Sequence, residues 1–230
     1  MNRIKERFVW LSYPLDPSIP SYGNGEGFER ESIQNISKGD SCNTSRWHLV
    51  NHIGTHIDTP NHFFQNGSSI DDFPPGFWQF SKVSVVKEPA INENMCIEID
   101  RSFKCVPKET DLLIIYTGYC KHRSEKKYWS NNPGLSSKLA IYLRNTFPKL
   151  RAVGIDSISI SSWQNRDEGR KAHKAFLDPD GYGKPILLIE DMDLTIIAND
   201  VNILSSWVIP MRVTGADGAP CTIIAGVDKC

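Results

Sequence analysis

The sequence predicts a mixed α/β domain in which a central β-sheet or barrel-like β core is flanked by a few helices. Short apolar runs of strand type recur along the chain, whereas only one helix is clearly indicated. Several runs are continuously apolar rather than alternating, which is typical of strands buried on both faces. The 230 residues are enough to bury a sizeable core, and no repeat or linker divides them, so residues 1–230 are expected to form a single domain.

The predicted strands can be followed in chain order. Residues 8–11 predict a strand that leads into a rigid proline-containing loop, and residues 23–45 are polar without a clear period, as in a surface segment or lid. The later strand-type runs cover residues 83–86, 112–116, 152–155, 186–189, 207–209 and 222–225.

The clearest helix extends from about Ser136 to Phe147. Its first turn can be capped by Ser136 or Ser137, and the proline after Phe147 ends it. Leu139, Leu143 and Phe147 share one side, which we expect to face the core.

The composition limits the classes of partner and compartment. The chain has 26 basic and 27 acidic residues in no long run of either sign, so neither nucleic acid nor an anionic membrane is an expected partner. The first eight residues lack the apolar core of a secretory signal, and no stretch is long enough to span a bilayer. Six scattered cysteines form no Cys-x-x-Cys pair. We expect a cytoplasmic, reduced protein that acts on a small molecule.

Most of the candidate chemistry lies in one stretch, residues 52–62. His52, His56, Asp58 and His62 all have even numbers, so an extended chain would present them on one face, with β-branched residues on the other. Gly54, the β-branched residues and Pro60 argue against a helix. The stretch therefore predicts a strand that runs into a turn near Pro60.

The side chains of this face suit a divalent metal ion. His52, His56 and Asp58 form a two-histidine, one-carboxylate set, and Gly54 leaves room between the histidines. Thr55 could orient a ligand, although its odd number places it on the opposite face. Taken alone, a histidine is usually a surface residue or a satisfied core residue, and an aspartate is usually a cap or part of a turn. Four of the six histidines, however, lie among residues 48–62, and this clustering favours a metal site over a coincidental polar strand end.

The two other histidines of this region are interpreted differently. His62 lies beyond Pro60 and could be a further ligand, but an imidazole just outside the ligand set is better suited to moving a proton, since its pKa lies near neutral pH. His48 follows Trp47 and is interpreted as structural.

The motif His52-x-Gly54-Thr55-His56-x-Asp58-x-Pro60-x-His62 resembles the H-x-G-T-H-x-D-x-P-x-H signature of the cyclase-like metal-dependent hydrolases. This family includes bacterial kynurenine formamidases and isatin hydrolases, and every defined position of its signature matches. Other segments are also similar to the family: residues 11–22, 116–118, 154–157, 172–177, 188–194 and 215–220.

The resemblance implies roles for several residues. His52, His56 and Asp58 would hold one metal ion and His62 would be the catalytic acid and base. With a second ion, Asp58 would bridge the two ions, His173 would bind the second, and Glu190 would contact both. The ions would be one or two divalent metals, zinc or manganese.

Apart from the family resemblance, the sequence supports a ligand role for Glu190 more than for His173. Glu190 ends an apolar run, where a strand can deliver a carboxylate to the edge of a site, although a solvated strand end is equally consistent with the pattern. The charged run around His173 would by itself indicate a solvated helix face.

Candidate pocket walls are aromatic. The resemblance places an aromatic residue near Tyr22 in the substrate pocket, and the aromatic, proline-rich segment after His62 adds Phe64, Phe77 and Trp78, each of which could equally pack in the core.

The resemblance further implies a fold of the swivelling β/β/α type and a homodimer or homotetramer. There are departures from the family pattern. Ser161 stands where formamidases usually have an acidic residue, Thr222 where an arginine is common, and Tyr22 where kynurenine formamidases tend to have tryptophan. These differences leave the reaction type intact and put the particular substrate in question.

The sequence therefore predicts a metal-dependent, arylformamidase-like hydrolase that cleaves a C–N bond of an amide, formamide or lactam. A metal-activated hydroxide would attack the carbonyl, and His62 would pass the proton to the departing nitrogen. The alternative is a metal-dependent small-molecule binding protein that has kept the site without turnover. A metal store or sensor would prefer a closed ligand set.

Overall fold

A mixed sheet of nine strands organises the chain, in a computed structural model that describes residues 7–88, 95–199 and 201–228. The charged N-terminal segment 1–6 and Cys230 lie outside the described residues. Within them, the strands are β1 (Arg7–Trp10), β2 (Glu29–Gln34), β3 (Thr44–His48), β4 (His56–Asp58), β5 (Gln79–Phe80), β6 (Val83–Lys87), β7 (Cys96–Ile97), β8 (Leu112–Tyr116), β9 (Gly134–Leu135), β10 (Ala152–Ile155), β11 (Leu187–Glu190), β12 (Ile203–Pro210) and β13 (Gly218–Val227).

The described residues also form four α-helices and several short 3₁₀ helices. The α-helices are α1 (Arg101–Lys104), α2 (Lys127–Ser130), α3 (Ser137–Thr146) and α4 (Arg166–Leu177). The 3₁₀ helices are Tyr22–Asn24, Ile36–Lys38, Pro60–His62, Ile70–Asp72, Pro75–Trp78, Tyr119–His122, Trp163–Asn165 and Thr195–Asn199. None of the α-helices in these ranges has the length and apolar character needed to cross a bilayer.

The large sheet is nearly closed into a barrel. Its order is β5-β12-β13-β4-β11-β10-β8-β6, with β1 added to β13. Strands β11, β10, β8 and β6 are parallel, whereas β4 is antiparallel to both β11 and β13. Strands β5 and β6 form the two ends of the order, and only Ser81 and Lys82 separate them in sequence, so the two ends must lie near each other. The predicted fold class, with its barrel-like β core and few helices, is confirmed.

The sheet separates two apolar cores. Alternate residues of its parallel strands point to opposite sides, so Leu113 and Leu188 pack under α3 and α4, while Leu112 and Leu187 fill the interior of the barrel. Burial on both faces explains the continuous apolar runs of the sequence. Ile57 of β4 belongs to the interior core. Its two neighbours in the strand therefore face the side where the helices pack.

Most predicted elements are confirmed. Each predicted strand-type run overlaps a strand of the large sheet, and helix α3 begins after Ser136, whose Oγ accepts a hydrogen bond from the backbone N–H of Leu139 at 3.1 Å. Leu139 and Leu143 are buried, as expected. The assignment of residues 1–230 to a single domain stays a prediction.

One element was not predicted, and one expectation was wrong. The segment 23–45, expected to be a surface segment or lid, is largely exposed and contains β2 and the start of β3, which pair as a hairpin. Both of its faces are largely exposed, so no apolar alternation marks it. The stretch 52–62 is not one extended strand: only His56–Asp58 is a strand. Gly54 has a left-handed φ of 63°, which a strand cannot continue through, and Pro60 opens a 3₁₀ helix.

Candidate active site

Two antiparallel strands bring the central carboxylates and one histidine together. In the register of β4 and β11, Glu190 lies directly opposite His56, and Asp58 is two residues further along β4. All three side chains face the helix side of the sheet and are nearly inaccessible to solvent: 4% of His56, 1% of Asp58 and 4% of Glu190 is exposed. Two carboxylates are thus buried within reach of one imidazole.

Helix α4 supplies a second imidazole to the same cluster. The Nε2 atom of His173 lies 3.6 Å from Asp58 Oδ2 and 3.3 Å from Glu190 Oε1. The sequence alone indicated a solvated face for this residue, and that interpretation was wrong: 5% of His173 is exposed. Gly169, one turn earlier, explains the close packing, because a Cβ at this position would lie 2.1 Å from Ser161 Oγ.

Backbone carbonyls orient both buried imidazoles. The Nδ1–H of His56 donates to Gly54 O at 2.8 Å, and the Nδ1–H of His173 donates to Gly169 O at 2.9 Å. In each neutral ring the remaining Nε2 therefore carries a lone pair. The Nε2 atom of His56 lies 3.5 Å from Asp58 Oδ1 and 3.4 Å from Glu190 Oε2. Lone pairs and carboxylate oxygens thus face the same small volume.

This arrangement fits a cation. Electron-rich nitrogen and oxygen atoms that converge in a buried site require protons or a metal ion between them. Burial lowers the pKa of His56, but its hydrogen bond with Glu190 and the charge of Asp58 raise it to about 9. Burial likewise lowers the pKa of His173, and the same two carboxylates raise it to about 10. Hydrogen bonds with the imidazoles hold the pKa values of both carboxyls below their usual range, against the effect of burial.

His52 lies between two carboxylates at the edge of this cluster. Its Nδ1 is 2.8 Å from Asp58 Oδ1, and its Nε2 is 2.9 Å from Asp217 Oδ2. A neutral imidazole has one N–H, so one of these two nitrogens remains available to a cation. Gly218 permits this position, since a Cβ there would lie 2.5 Å from Cε1 of His52.

The ligand atoms form three overlapping groups. Within each group, all atoms lie within 4.8 Å of one another: His52 with His56 and Asp58; Asp58 with His173 and Glu190; His52 with His62 and Asp217. Asp58 belongs to the first two groups, which is the arrangement expected of a carboxylate shared by two ions. The structure therefore brings together all five residues predicted as ligands, and their binding roles stay predictions.

His62 is oriented by an aspartate that the sequence analysis did not single out. Its Nδ1 lies 2.8 Å from Asp217 Oδ2, and its ring centroid lies 4.0 Å from that of His52. Burial lowers the pKa of His62, which favours the neutral imidazole. Asp217 precedes β13, whose pairing with β4 places Gly218 opposite Asp58. An aspartate just before the strand-type run, within the family-like segment 215–220, was the signal available in the sequence.

Hydrogen bonds from neighbouring loops hold the carboxylate of Glu190. Ser159 Oγ and the backbone N–H of Ile160 both donate to Glu190 Oε1, at 2.9 and 2.7 Å. Thr55 points away from the cluster, as its odd number suggested, and donates to the backbone carbonyl of Asp191 at 2.6 Å. The ligand set is therefore supported by contacts that do not depend on a bound ion.

The cluster forms the floor of a cavity of about 360 Å³, a volume suited to a small molecule. Tyr22 lines this cavity, as expected, and so do Phe63, Ile158 and the arginines Arg166 and Arg170. The arginines were not predicted, because the side of α4 that faces the site cannot be inferred from the charged run alone.

Three predicted wall residues lie elsewhere. Phe64 packs against the core under the helices, and Phe77 and Trp78 pack against the interior core. Phe77 also lines a separate cavity. The aromatic composition of this segment reflects core packing, and only Phe63, next to His62, reaches the candidate site.

Of the three departures from the family pattern, Tyr22 lines the cavity, and the other two differ in location. Ser161 lies in the site, with its Oγ 3.2 Å from His173 Nδ1. Thr222 lines a different cavity together with Cys221 and cannot affect the cluster directly.

The model of the Cyclase family, described as "Putative cyclase", matches residues 9–162, which is more than half of the chain. The chain belongs to the cyclase family. Cyclase-like protein 1 of Arabidopsis thaliana is 26% identical over 227 residues, covering 93% of this chain and 82% of that protein. The kynurenine formamidase of Geobacillus thermodenitrificans is 22% identical over 217 residues, covering 93% of this chain and 94% of the relative.

Solved structures share the fold of this cyclase. Isatin hydrolase A from Labrenzia aggregata, bound to benzyl benzoate, superposes with a TM-score of 0.80 at 18% identity, covering 97% of this chain and 94% of that one. An isatin hydrolase bound to the product analogue thioisatinate superposes with a TM-score of 0.77 at 17% identity, covering 98% and 94% of the two chains. The family resemblance of the sequence motif is confirmed by the match of the family model to residues 9–162.

Proposed function

We propose that this cyclase is a metal-dependent hydrolase that cleaves a C–N bond of an amide, formamide or lactam, in the manner of an arylformamidase. The observation that carries the proposal is the convergence of buried imidazole nitrogens and carboxylate oxygens beside His62, in a cavity of small-molecule size. Relatives named kynurenine formamidase and solved structures of isatin hydrolases support the same class of reaction.

His52, His56, Asp58, His173 and Glu190 are the residues that would hold one or two divalent ions, zinc or manganese. When bound, such an ion supplies Lewis-acid polarisation of a carbonyl and increases the acidity of water.

In this proposal His62 moves the proton. Asp217 holds its Nδ1, and Nε2 has no hydrogen-bond partner among the described residues, although the side chain lines the cavity. The Nε2 atom takes a proton from water as the water adds to the carbonyl carbon, and it delivers that proton to the departing nitrogen. Asp217 acts as a positioning residue, because it fixes the ring orientation and stabilises the protonated imidazole.

The walls of the cavity suit a ring-bearing substrate. Tyr22, Phe63 and Ile158 present apolar surface beside the polar cluster, and Tyr22 contacts the ring of Trp163 edge to face, with the centroids 5.0 Å apart. Aromatic pairs of this kind add rigidity to a pocket wall. An aryl amide or aryl formamide therefore fits better than a purely polar amide.

The test combines metal content with hydrolysis of N-formylkynurenine, isatin and formanilide. The proposal predicts stoichiometric divalent metal and release of formate or ring-opened product from at least one substrate. Turnover that is absent after loading with Zn²⁺ or Mn²⁺ would contradict it. Tight binding of these compounds without product would instead indicate a metal-dependent binding protein.

We also propose a homodimer or homotetramer in the cytoplasm, on the basis of the family resemblance. The exposed hairpin of β2 and β3, with 55% of Trp47 exposed, is consistent with a surface covered by another copy. The described cysteines are all free, consistent with a reducing compartment. Light scattering of the purified protein would test the oligomeric state, since a monomer at micromolar concentration would contradict it.

A further inference from the structure

One face of helix α4 connects the candidate ligand set with the mouth of the cavity. Arg166, Arg170 and His173 are spaced at i, i+4 and i+7, so they form a single stripe along the helix, and all three line the cavity. Arg170 is about 5 Å and Arg166 about 10 Å from His173 along the helix axis. The stripe therefore carries two guanidinium groups outward from the floor of the site.

The position of Arg166 is not explained by helix stability. It is the first residue of α4, where the helix dipole favours negative rather than positive side chains. Among the residues that the structure describes, no carboxylate lies within ion-pair distance of Arg166. Its guanidinium instead lies over the ring of Trp163, 4.9 Å from the centroid. This stacking orients the charge without neutralising it.

Arg170 is also available to a ligand. Its partner is Asp167 at 2.6 Å, a pair whose side chains are 55% and 84% exposed. Such surface pairs contribute little free energy and exchange readily with other partners.

A phenolic hydroxyl without a partner lies on the same wall. The Oη atom of Tyr22 is buried and has no hydrogen-bond partner among the described residues. Burial and the charge of Glu190 raise the pKa of Tyr22 to about 12, and the charges of Arg166 and Arg170 act in the opposite direction. Tyr22 is thus within electrostatic reach of the floor and of both arginines. Its buried hydroxyl is a hydrogen-bond donor that lacks an acceptor among the described residues.

The position of this wall is fixed by packing. Gly23 has a left-handed φ of 66°, and a Cβ there would lie 2.2 Å from the Trp163 ring, so the 3₁₀ helix Tyr22–Asn24 lies directly against Trp163. Trp163 therefore contacts both Tyr22, edge to face, and the guanidinium of Arg166.

We propose that the substrate of this cyclase is an amide that carries a carboxylate, with the carboxylate bound by Arg166 and Arg170 at the cavity mouth and by the hydroxyl of Tyr22. The inference rests on the proposed amide hydrolysis. The carboxylates of Asp58 and Glu190 lie on the floor, where the proposed metal ions would offset their charge, whereas the two guanidinium groups add positive charge at the mouth that attracts an acidic substrate and sets its orientation. Guanidinium groups suit this task, because they bind carboxylates with paired hydrogen bonds.

The test uses two probes that differ only in charge, 4-formamidobenzoate and its methyl ester. In the wild-type protein we expect kcat/KM for the acid to exceed that for the ester by about tenfold or more. In the double variant Arg166→Gln/Arg170→Gln this ratio should fall by about tenfold. Lys171→Gln is the control, because it removes one positive charge from the same helix outside the cavity, and it should keep the wild-type ratio.

The outcomes separate this inference from the proposed function. Hydrolysis of both probes without a preference for the acid, or a preference that the double variant retains, would overturn the inference alone. If neither probe is hydrolysed, the proposed function fails only when N-formylkynurenine, isatin and formanilide are also left intact, and calorimetry of the metal-loaded protein with 4-carbamoylbenzoate and its methyl ester then tests the inference. Preferential binding of the acid that is lost in the double variant and kept in Lys171→Gln would support it, and equal binding of acid and ester would overturn it.

Discussion

His62 is the residue on which turnover should depend most. The variant His62→Asn lacks the imidazole that accepts the proton from water and returns it to the departing nitrogen, so kcat should fall roughly a hundred- to ten-thousand-fold, whereas the metal content should stay at the wild-type level. The assay is formanilide hydrolysis together with elemental analysis. His48→Asn is the matched control, since His48 lies on the exposed strand β3, and it should behave as wild type. Turnover retained in His62→Asn would remove the acid/base role.

Glu190 should matter for metal binding rather than for proton transfer. The substitution Glu190→Gln removes one of the two buried carboxylates of the cluster and leaves Asp58 as the other, so the affinity for Zn²⁺ or Mn²⁺ should fall by roughly tenfold or more. Titration of metal into the chelated protein measures this. The exposed residue Glu109, paired with Lys149 on the surface, offers the control Glu109→Gln with unchanged affinity. Equal affinities in Glu190→Gln and wild type would exclude Glu190 from the ligand set.

At the scale of elements, the contact between α4 and the loop before it positions His173. In Gly169→Ala the new Cβ would meet Ser161 Oγ at 2.1 Å and its Cβ at 2.5 Å, so α4 has to move outward. Overpacking of this kind costs roughly 1–3 kcal/mol of stability. We expect lower metal affinity as well, because His173 moves with the helix. Adding Ser161→Gly removes these two contacts but leaves the Cα atom of residue 161 at 2.7 Å, so it should restore part of the loss, as measured by thermal unfolding and metal titration. The absence of any rescue would show that the cost arises elsewhere.

Which site residues can be predicted depends on how they reach the site. His56 and Asp58 share a face through the strand period, and Glu190 ends an apolar run, so local pattern suffices for these three. Asp217 reaches His62 only because β13 pairs with β4, a contact that joins distant parts of the chain. To predict that His173 reaches the site, one must know which side of α4 is buried. Phe64, Phe77 and Trp78 show the same limit, since composition indicates aromatic packing without its location.

The fold was easier to predict from the sequence than the site. Continuous apolar runs such as Leu112–Tyr116 indicate strands buried on both faces, and this alone implies a sheet covered on both sides. The hairpin of β2 and β3 escaped prediction because its residues are exposed on both faces and carry no period. The near closure of the sheet follows from the juxtaposition of β5 and β6, which depends on the strand order and has no signature in any one segment.

For the whole molecule, a bound metal should contribute directly to stability. Without a cation, Asp58 and Glu190 remain buried close to each other, and their mutual repulsion opposes folding. Ligand linkage stabilises the folded state by about 2.7 kcal/mol at a free metal concentration one hundred times Kd. Chelation should therefore lower Tm by several degrees, and Zn²⁺ or Mn²⁺ should restore it. Ca²⁺, which prefers oxygen ligands, is the control and should restore less. A Tm that is indifferent to chelation would argue against a metal among these residues.

The central claim, that this cyclase hydrolyses amides with a metal held by the cluster around Asp58, is tested most directly by metal reconstitution under turnover. Chelated protein is titrated with Zn²⁺ or Mn²⁺ while formanilide hydrolysis is followed, in the wild type and in Asp58→Asn. We predict no turnover before metal is added, turnover that rises and saturates at one or two ions per chain, and little or none in Asp58→Asn at the same metal concentration. Hydrolysis by the metal-free protein, or full activity in Asp58→Asn, would contradict the account.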